Sequence, residues 1–125
     1  MDEALNTGAY EHLEEFVAPE YFNRTAGTRG PAGYRNNHLQ WRESFPDMHI
    51  AIEDIVAEGD VVAIHMIWSG THTGEFRGIH PTGKHVKWAS TQFRRVRDGM
   101  VVKWWGVTDL WRLTEQLNAA RQNTA

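Results

Sequence analysis

The chain contains no cysteine, which excludes a disulfide framework and thiolate chemistry. It has no apolar run long enough to span a membrane. It has little net charge, −3 from 13 basic and 16 acidic residues, and no basic block beyond Arg94-Arg95 and Arg97. That argues against nucleic acid as a partner. The opening Met1-Asp2-Glu3-Ala4-Leu5 is acidic and lacks the basic and apolar regions of a signal peptide, so the cytoplasm is the expected compartment and no membrane partner is expected. There is no glycine-rich phosphate loop at a strand–helix junction, and no nucleophilic serine set beside a base. His72, Glu75 and His80 share a loop without a compact His-x-His or His-x-x-x-His pair, so no metal site is expected. No repeat or low-complexity segment appears. At 125 residues, a single domain over 1–125 with one core is expected.

What the chain does have is aromatic. Six tryptophans and seven histidines are many for this length. A tryptophan carries an N–H that wants a partner, so a set of them points to an aromatic core or to a pocket walled by rings.

Asn6-Thr7-Gly8 is a break, and residues 9–17 read as a short helix with Leu13, Phe16 and Val17 on one face. Asn23 to Gly30 reads as a loop. Pro31 suits a helix start. Tyr34, His38, Trp41 and Phe45 then follow at spacings of four, three and four, one helix face closed by Pro46. From Met48 the period changes to two, which predicts a strand, and Glu58-Gly59-Asp60 predicts a turn. Val61 to Ser69 is a long apolar strand, and residues 70–84 form an irregular connection. Val86 to Val96 and Met100 to Thr108 are strands joined at Asp98-Gly99. Leu110, Leu113 and Leu117 mark a closing helix. Helices followed by four hairpin strands predict an α+β fold, a curved antiparallel sheet wrapped around an N-terminal helical layer.

The last strand, ending Trp104-Trp105-Gly106-Val107-Thr108, delivers a carboxylate, Asp109, where the closing helix begins. Such an aspartate is either a helix cap or a general acid/base. The hairpin register bears on that choice. A bulge at Gly99 sets Arg95 near Val101 and puts Arg95 and Phe93 on one face with Trp105 and Asp109. A plain two-residue turn gives that face to Trp88, Ser90 and Gln92, and one residue of slip turns every side chain over. Val-Arg-Asp-Gly suits the bulged form, which is the expectation adopted. An inward Arg95 would stabilise an enolate or hold a carboxylate; otherwise it is a surface arginine. Asn37 and His38 on the helix would bind substrate oxygens beside Trp41. His65, in the middle of an apolar strand, is either a structural hydrogen-bonder or a substrate contact.

Phe45-Pro46-Asp47, Glu58-Gly59-Asp60, Gly70-Thr71-His72-Thr73-Gly74-Glu75-Phe76, Pro81-Thr82-Gly83-Lys84, Phe93 to Arg95, Asp98-Gly99, Trp105 to Asp109 and Gln116-Leu117 occur in the order and spacing of the SnoaL-like polyketide cyclase family. The resemblance covers almost the whole chain. It implies the cone-shaped α+β barrel of the nuclear-transport-factor-like superfamily. It also implies a cofactor-independent ester cyclase that closes a ring of an aromatic polyketide by intramolecular aldol reaction. The family's acid/base aspartate matches Asp109. Barrels of this kind commonly pair through the open sheet face, so a homodimer or higher homo-oligomer is expected.

Three departures stand out. Relatives carry more helix before the Asp2-Glu3-Ala4-Leu5 segment, so a more open pocket, or one covered by another subunit, is expected. Arg24 follows Tyr21-Phe22-Asn23 where relatives often have histidine. Asn37 and His38 stand where relatives are often apolar, which implies a pocket retuned for a more polar substrate. The expected ligand is a hydrophobic, oxygenated small molecule, with Asp109 and Arg95 catalytic and Asn37, His38, Trp41, His65, Phe93 and Trp105 in contact with it. The same pocket would also serve isomerisation, dehydration, epoxide opening or hydroxylation. Two non-enzymatic alternatives are a binding protein without turnover and a structural dimer module.

Overall fold

In the computed structural model, which describes residues 13–123, Pro31 stands in the first turn of a 15-residue helix, α1 (Gly30–Ser44). The four–three–four spacing puts Tyr34 and His38 in the core, packs Trp41 against it and fully buries Phe45 just past the helix end. That face lies on a curved, unclosed sheet of six strands in the order β2-β1-β6-β5-β4-β3. The strands are β1 (Val17–Asn23), β2 (Thr28–Arg29), β3 (His49–Glu58), β4 (Val61–Thr71), β5 (His85–Arg97) and β6 (Met100–Thr108). A second helix, α2 (Leu110–Asn123), closes the chain and buries Leu113 and Leu117 completely.

The last four strands form the antiparallel meander that their period of two predicts. On β4, Ile64, Met66 and Trp68 are buried while Ala63, His65 and Ile67 are half-buried. On β5 the inward set is Val86, Trp88, Ser90, Gln92 and Arg94. The alternation weakens on β3, where the register shifts between Ile52 and Asp54 and Ile52 is left exposed. Aromatic rings fill the space between α1 and the sheet. Trp88 lies 5.7 Å from Trp41 and 4.9 Å from Phe45, centroid to centroid, well inside the range in which rings attract beyond their area.

The structure departs from the sequence reading at two places. Residues 9–12 of the expected first helix lie outside the described residues. Beyond them, Leu13–Glu15 make a 3-10 turn, and Val17 opens a strand. β1 runs parallel to β6, pairing Val17 with Val101 and Asn23 with Trp104, so the sheet is mixed and begins before α1. A proline removes a ladder donor, and Pro19 sits within the register shift between Val17 and Phe22, where that loss is tolerated.

The second departure is the hairpin. Asp98 and Gly99 both have positive φ, 53° and 77°, and form a plain two-residue turn that pairs Arg97 with Met100 and Val96 with Val101. The shift falls one pair later, between Arg95 and Val96. Phe93, Arg95 and Trp105 do share a face, since Phe93 pairs with Trp105 and Arg95 with Lys103. It is the face turned away from α1. Ser90, Gln92 and Arg94 take the inner one.

Candidate functional site

A cavity of about 190 Å³ opens between α1 and the inner face of the sheet. Trp41, Trp68 and Trp104 wall it, and Tyr21, Asn23, Tyr34, Asn37, His38, Gln92 and Thr108 present polar groups to it. α1 contributes Tyr34, Asn37, His38 and Trp41 because i, i+3, i+4 and i+7 fall on one stripe. β1 contributes Tyr21 and Asn23, two residues apart on one face of the strand. Gly106 lies on the lining opposite Gln92, and a Cβ there would meet the Thr91 carbonyl oxygen, so β5 and β6 approach this closely only with glycine.

The polar groups are organised around a buried cation. Arg94 is 4% exposed, and its Nη2 donates to Gln92 Oε1 at 3.1 Å. Trp104 Nε1 donates to the same oxygen at 2.9 Å. With two donors on its oxygen, the Gln92 amide is oriented and its nitrogen remains a donor. The Arg94 charge reaches the neighbouring titratable groups. Burial, with Arg94 and then Arg42 adding to it, pushes His38 down to about 3, so its imidazole is neutral at working pH. Burial and the adjacent Tyr34 push the Tyr21 phenol up, outweighing the opposing pull of Arg94, so Tyr21 keeps its proton. The cavity therefore offers neutral donors and acceptors backed by one fixed positive charge, an arrangement that favours negative charge developing on a ligand oxygen.

Among the residues singled out from sequence, the structure brings together Asn37, His38 and Trp41. It does not bring Arg95, Phe93, Trp105 or His65 to them. Arg95 lies with its Nε 3.5 Å from Asp60 Oδ2, and its guanidinium is 5.9 Å from the Trp105 ring centroid. Phe93 stacks on Trp105 at 5.7 Å. His65 pairs across the sheet with Thr91 and stands 3.7 Å from Asp54 Oδ2. All four point outward because the register, not their chemistry, assigns the face.

Asp109 is between two cavity-lining residues, Thr108 and Leu110, but is not itself on the lining. Its Oδ1 accepts the Arg112 N–H at 3.0 Å, its Oδ2 is 3.8 Å from Arg112 Nε, and its side chain is 40% exposed. This is the helix-cap geometry. The expected grouping of Asp109 with Trp105 and Arg95 facing inward is thereby corrected.

Sequence reasoning missed Tyr21, Asn23, Arg94 and Trp104. For Arg94 and Trp104 the pairing carries no signal: Phe93, Arg95 and Trp105 share a face as expected, and it is the opposite face, with Gln92, Arg94 and Trp104, that turns toward α1. Tyr21 and Asn23 fell in a segment read as helix end and loop. His72 orders the 70–84 connection. It is fully buried, its Nδ1 accepts the Thr82 N–H at 3.2 Å, and its main chain pairs with Lys84 and Gly83. Among the described residues, no group of three or more His, Asp or Glu could hold a metal ion, and no helix is long and apolar enough to cross a membrane.

Residues 1–117 match the SnoaL-like polyketide cyclase family. Aklanonic acid methyl ester cyclase AcmA of Streptomyces galilaeus is 30% identical over 90 residues, 67% of this chain. The matched segment spans only 62% of that relative. Among solved structures, IdmH of Streptomyces antibioticus, provisionally a polyketide cyclase, superposes with a TM-score of 0.83 at 34% identity, covering 93% of this chain and 91% of its own. AclR of Streptomyces galilaeus, provisionally a hydroxylase, superposes with the same score at 28% identity, covering 94% and 90%.

Proposed function

The chain belongs to the SnoaL-like polyketide cyclase family, and we propose that it closes a ring in a polyketide-type small molecule by intramolecular aldol chemistry, with no cofactor. The observation that carries the proposal is the aromatic cavity backed by a buried guanidinium behind an amide donor.

In an aldol closure a base removes a proton from a carbon activated by adjacent carbonyls. The enolate carbon attacks a ketone carbon of the same molecule. A carbon–carbon bond forms, the carbonyl electron pair moves onto oxygen, and the alkoxide takes a proton. Negative charge develops on oxygen twice. Gln92, its carbonyl drawn by Arg94 and Trp104, presents an amide N–H strengthened by the charge behind it. Removing a preorganised donor of this kind typically costs about 10²–10³ in rate. Asn37, neutral His38 and protonated Tyr21 place the remaining substrate oxygens, and the tryptophans hold the rings. A donor-rich cavity of this sort also lowers the entropy cost of folding the chain back on itself.

Asp109 supplies the acid/base. Its main chain lies between the lining residues Thr108 and Leu110; its Oδ1 caps α2 and its Oδ2 stands 3.8 Å from Arg112 Nε, so the side chain must turn from the cap toward the cavity to reach substrate. A carboxylate can take the carbon proton and return it to the alkoxide. A second reading, binding without turnover, has one observation in its favour, the same hydrogen bond from Arg112 N–H. The two part in one experiment. The intact chain is incubated with aklanonic acid methyl ester, the compound in the AcmA name, and the products are separated and weighed by mass spectrometry. Aldol closure gives an isomer of unchanged mass and a new retention time. Saturable binding with no such isomer would favour the binding reading and defeat the cyclase one for this substrate.

A further inference from the structure

A second concavity of about 260 Å³ adjoins the first, between the outer half of α1 and the loop after β4. The two share three lining residues, Asn37, Trp41 and Arg77. Sites for drug-sized ligands run from about 300 to 1,000 Å³. The cavity alone falls below that range, and the pair together falls within it. A multi-ring ligand that occupied both would pass Arg77.

Arg77 is fixed in position. It forms with Gly78 the tip of a two-residue turn, closed by hydrogen bonds of 3.0 and 2.8 Å between Phe76 and Ile79. Both flanking residues are buried, and Phe76 packs on Trp41 at 5.3 Å. The loop is tied to the end of α1, where Ser44 Oγ donates to the Glu75 carbonyl at 2.6 Å. Arg77 has φ 46°, a left-handed conformation that glycine or asparagine adopts at lower cost. The turn itself does not require an arginine here, and Arg77 lies on the lining of both concavities. Its guanidinium lies 5.5 Å from the Phe76 ring centroid, leaving its edge N–H donors for a ligand.

We infer that Arg77 is a specificity-determining residue. It holds an anionic oxygen group of the substrate, a carboxylate or phenolate, at the waist between the two concavities while the aromatic rings occupy the cavity. Glu43 and Glu75 line the outer groove, so an anionic group is favoured at the waist and not beyond it. The inference rests on the small-molecule reading of the cavity. It adds to that reading where the substrate's charge must lie.

The test measures binding of anthraquinone-2-carboxylate and of its methyl ester by quenching of tryptophan fluorescence. Wild type, Arg77→Gly and Arg77→Lys are compared. Glycine suits the positive φ, so Arg77→Gly keeps the loop, and its thermal midpoint stays at or above that of the wild type. The acid should bind wild type about tenfold more tightly than Arg77→Gly, as loss of one charge-assisted contact implies. The ester should change by less than about twofold, and Arg77→Lys should recover part of the difference because lysine keeps the charge without the planar fork. Added salt should weaken the acid in wild type and not in Arg77→Gly. Equal affinity of the acid for wild type and Arg77→Gly would overturn the assignment while leaving the cavity reading intact. Failure of both compounds to bind wild type would overturn both.

Discussion

At the scale of single residues, the site depends on what burial does to histidine and arginine. His38 is 7% exposed and His72 fully buried. Burial lowers both, His38 to about 3. In the unfolded chain each returns to about 6.5. The folded state thus binds fewer protons than the unfolded one, so stability from these groups is fully present above about pH 6.5 and is lost as pH falls. The His38 contribution continues to fall until about pH 3. The urea midpoint should therefore be lower at pH 5 than at pH 7.5, and the drop should shrink in His38→Leu, since leucine does not titrate. A midpoint that does not move between those pH values would contradict the burial assigned to His38 and His72. Arginine has no such escape by losing its proton. Arg94 stays charged inside, which is why its field can be used by a ligand.

At the scale of elements, α1 was legible and the β5–β6 hairpin was not. On α1, four–three–four spacing fixes the stripe whatever the loops do, so Asn37, His38 and Trp41 could be placed from sequence alone. On a strand, the face depends on a register that a turn sets at a distance. Asp98-Gly99 makes the plain turn, the shift between Arg95 and Val96 restores the pairing of Phe93 with Trp105, and what remains, which face of that pairing meets α1, is set by packing that the hairpin's own sequence does not carry. β1 was lost for a different reason. Seven residues whose alternation is broken at an exposed Pro19 resemble a helix end more than a strand, and the pairing with β2 and β6 is what reveals it.

The same register gives the sheet an outer face with a use. Val56, Ala63, Phe93 and Trp105 form one cross-strand row, and His65, Thr91 and Val107 another. Val56 is 68% and Val107 73% exposed. The homodimer expected from the family resemblance is proposed to form here, with a second copy covering both rows. Sedimentation of the intact chain should give a dimer mass, and Val56→Glu with Val107→Glu should shift it to the monomer. A wild-type chain that sediments as a monomer at tens of micromolar would contradict this.

At the scale of the whole molecule, the fold is a sheet with α1 against its inner face, and the volume between them is the candidate site. The α+β class, the order of the meander and the closing helix follow from periodicity. Which chemistry the volume supports does not, because that depended on Tyr21 and Arg94, brought from β1 and β5 by parallel pairing and by register. Asp109 was legible as a carboxylate at a strand–helix junction. Its two roles, cap and acid/base, are drawn from the same atoms, and asparagine separates them. Asn caps a helix as well as Asp does but cannot take a proton from carbon. The most direct measurement is therefore the rate of ring closure of aklanonic acid methyl ester by Asp109→Asn beside the wild type, with thermal midpoints recorded for both. The account predicts an unchanged midpoint and a rate lower by about 10²–10⁴. A variant that keeps both its midpoint and its full rate would contradict it.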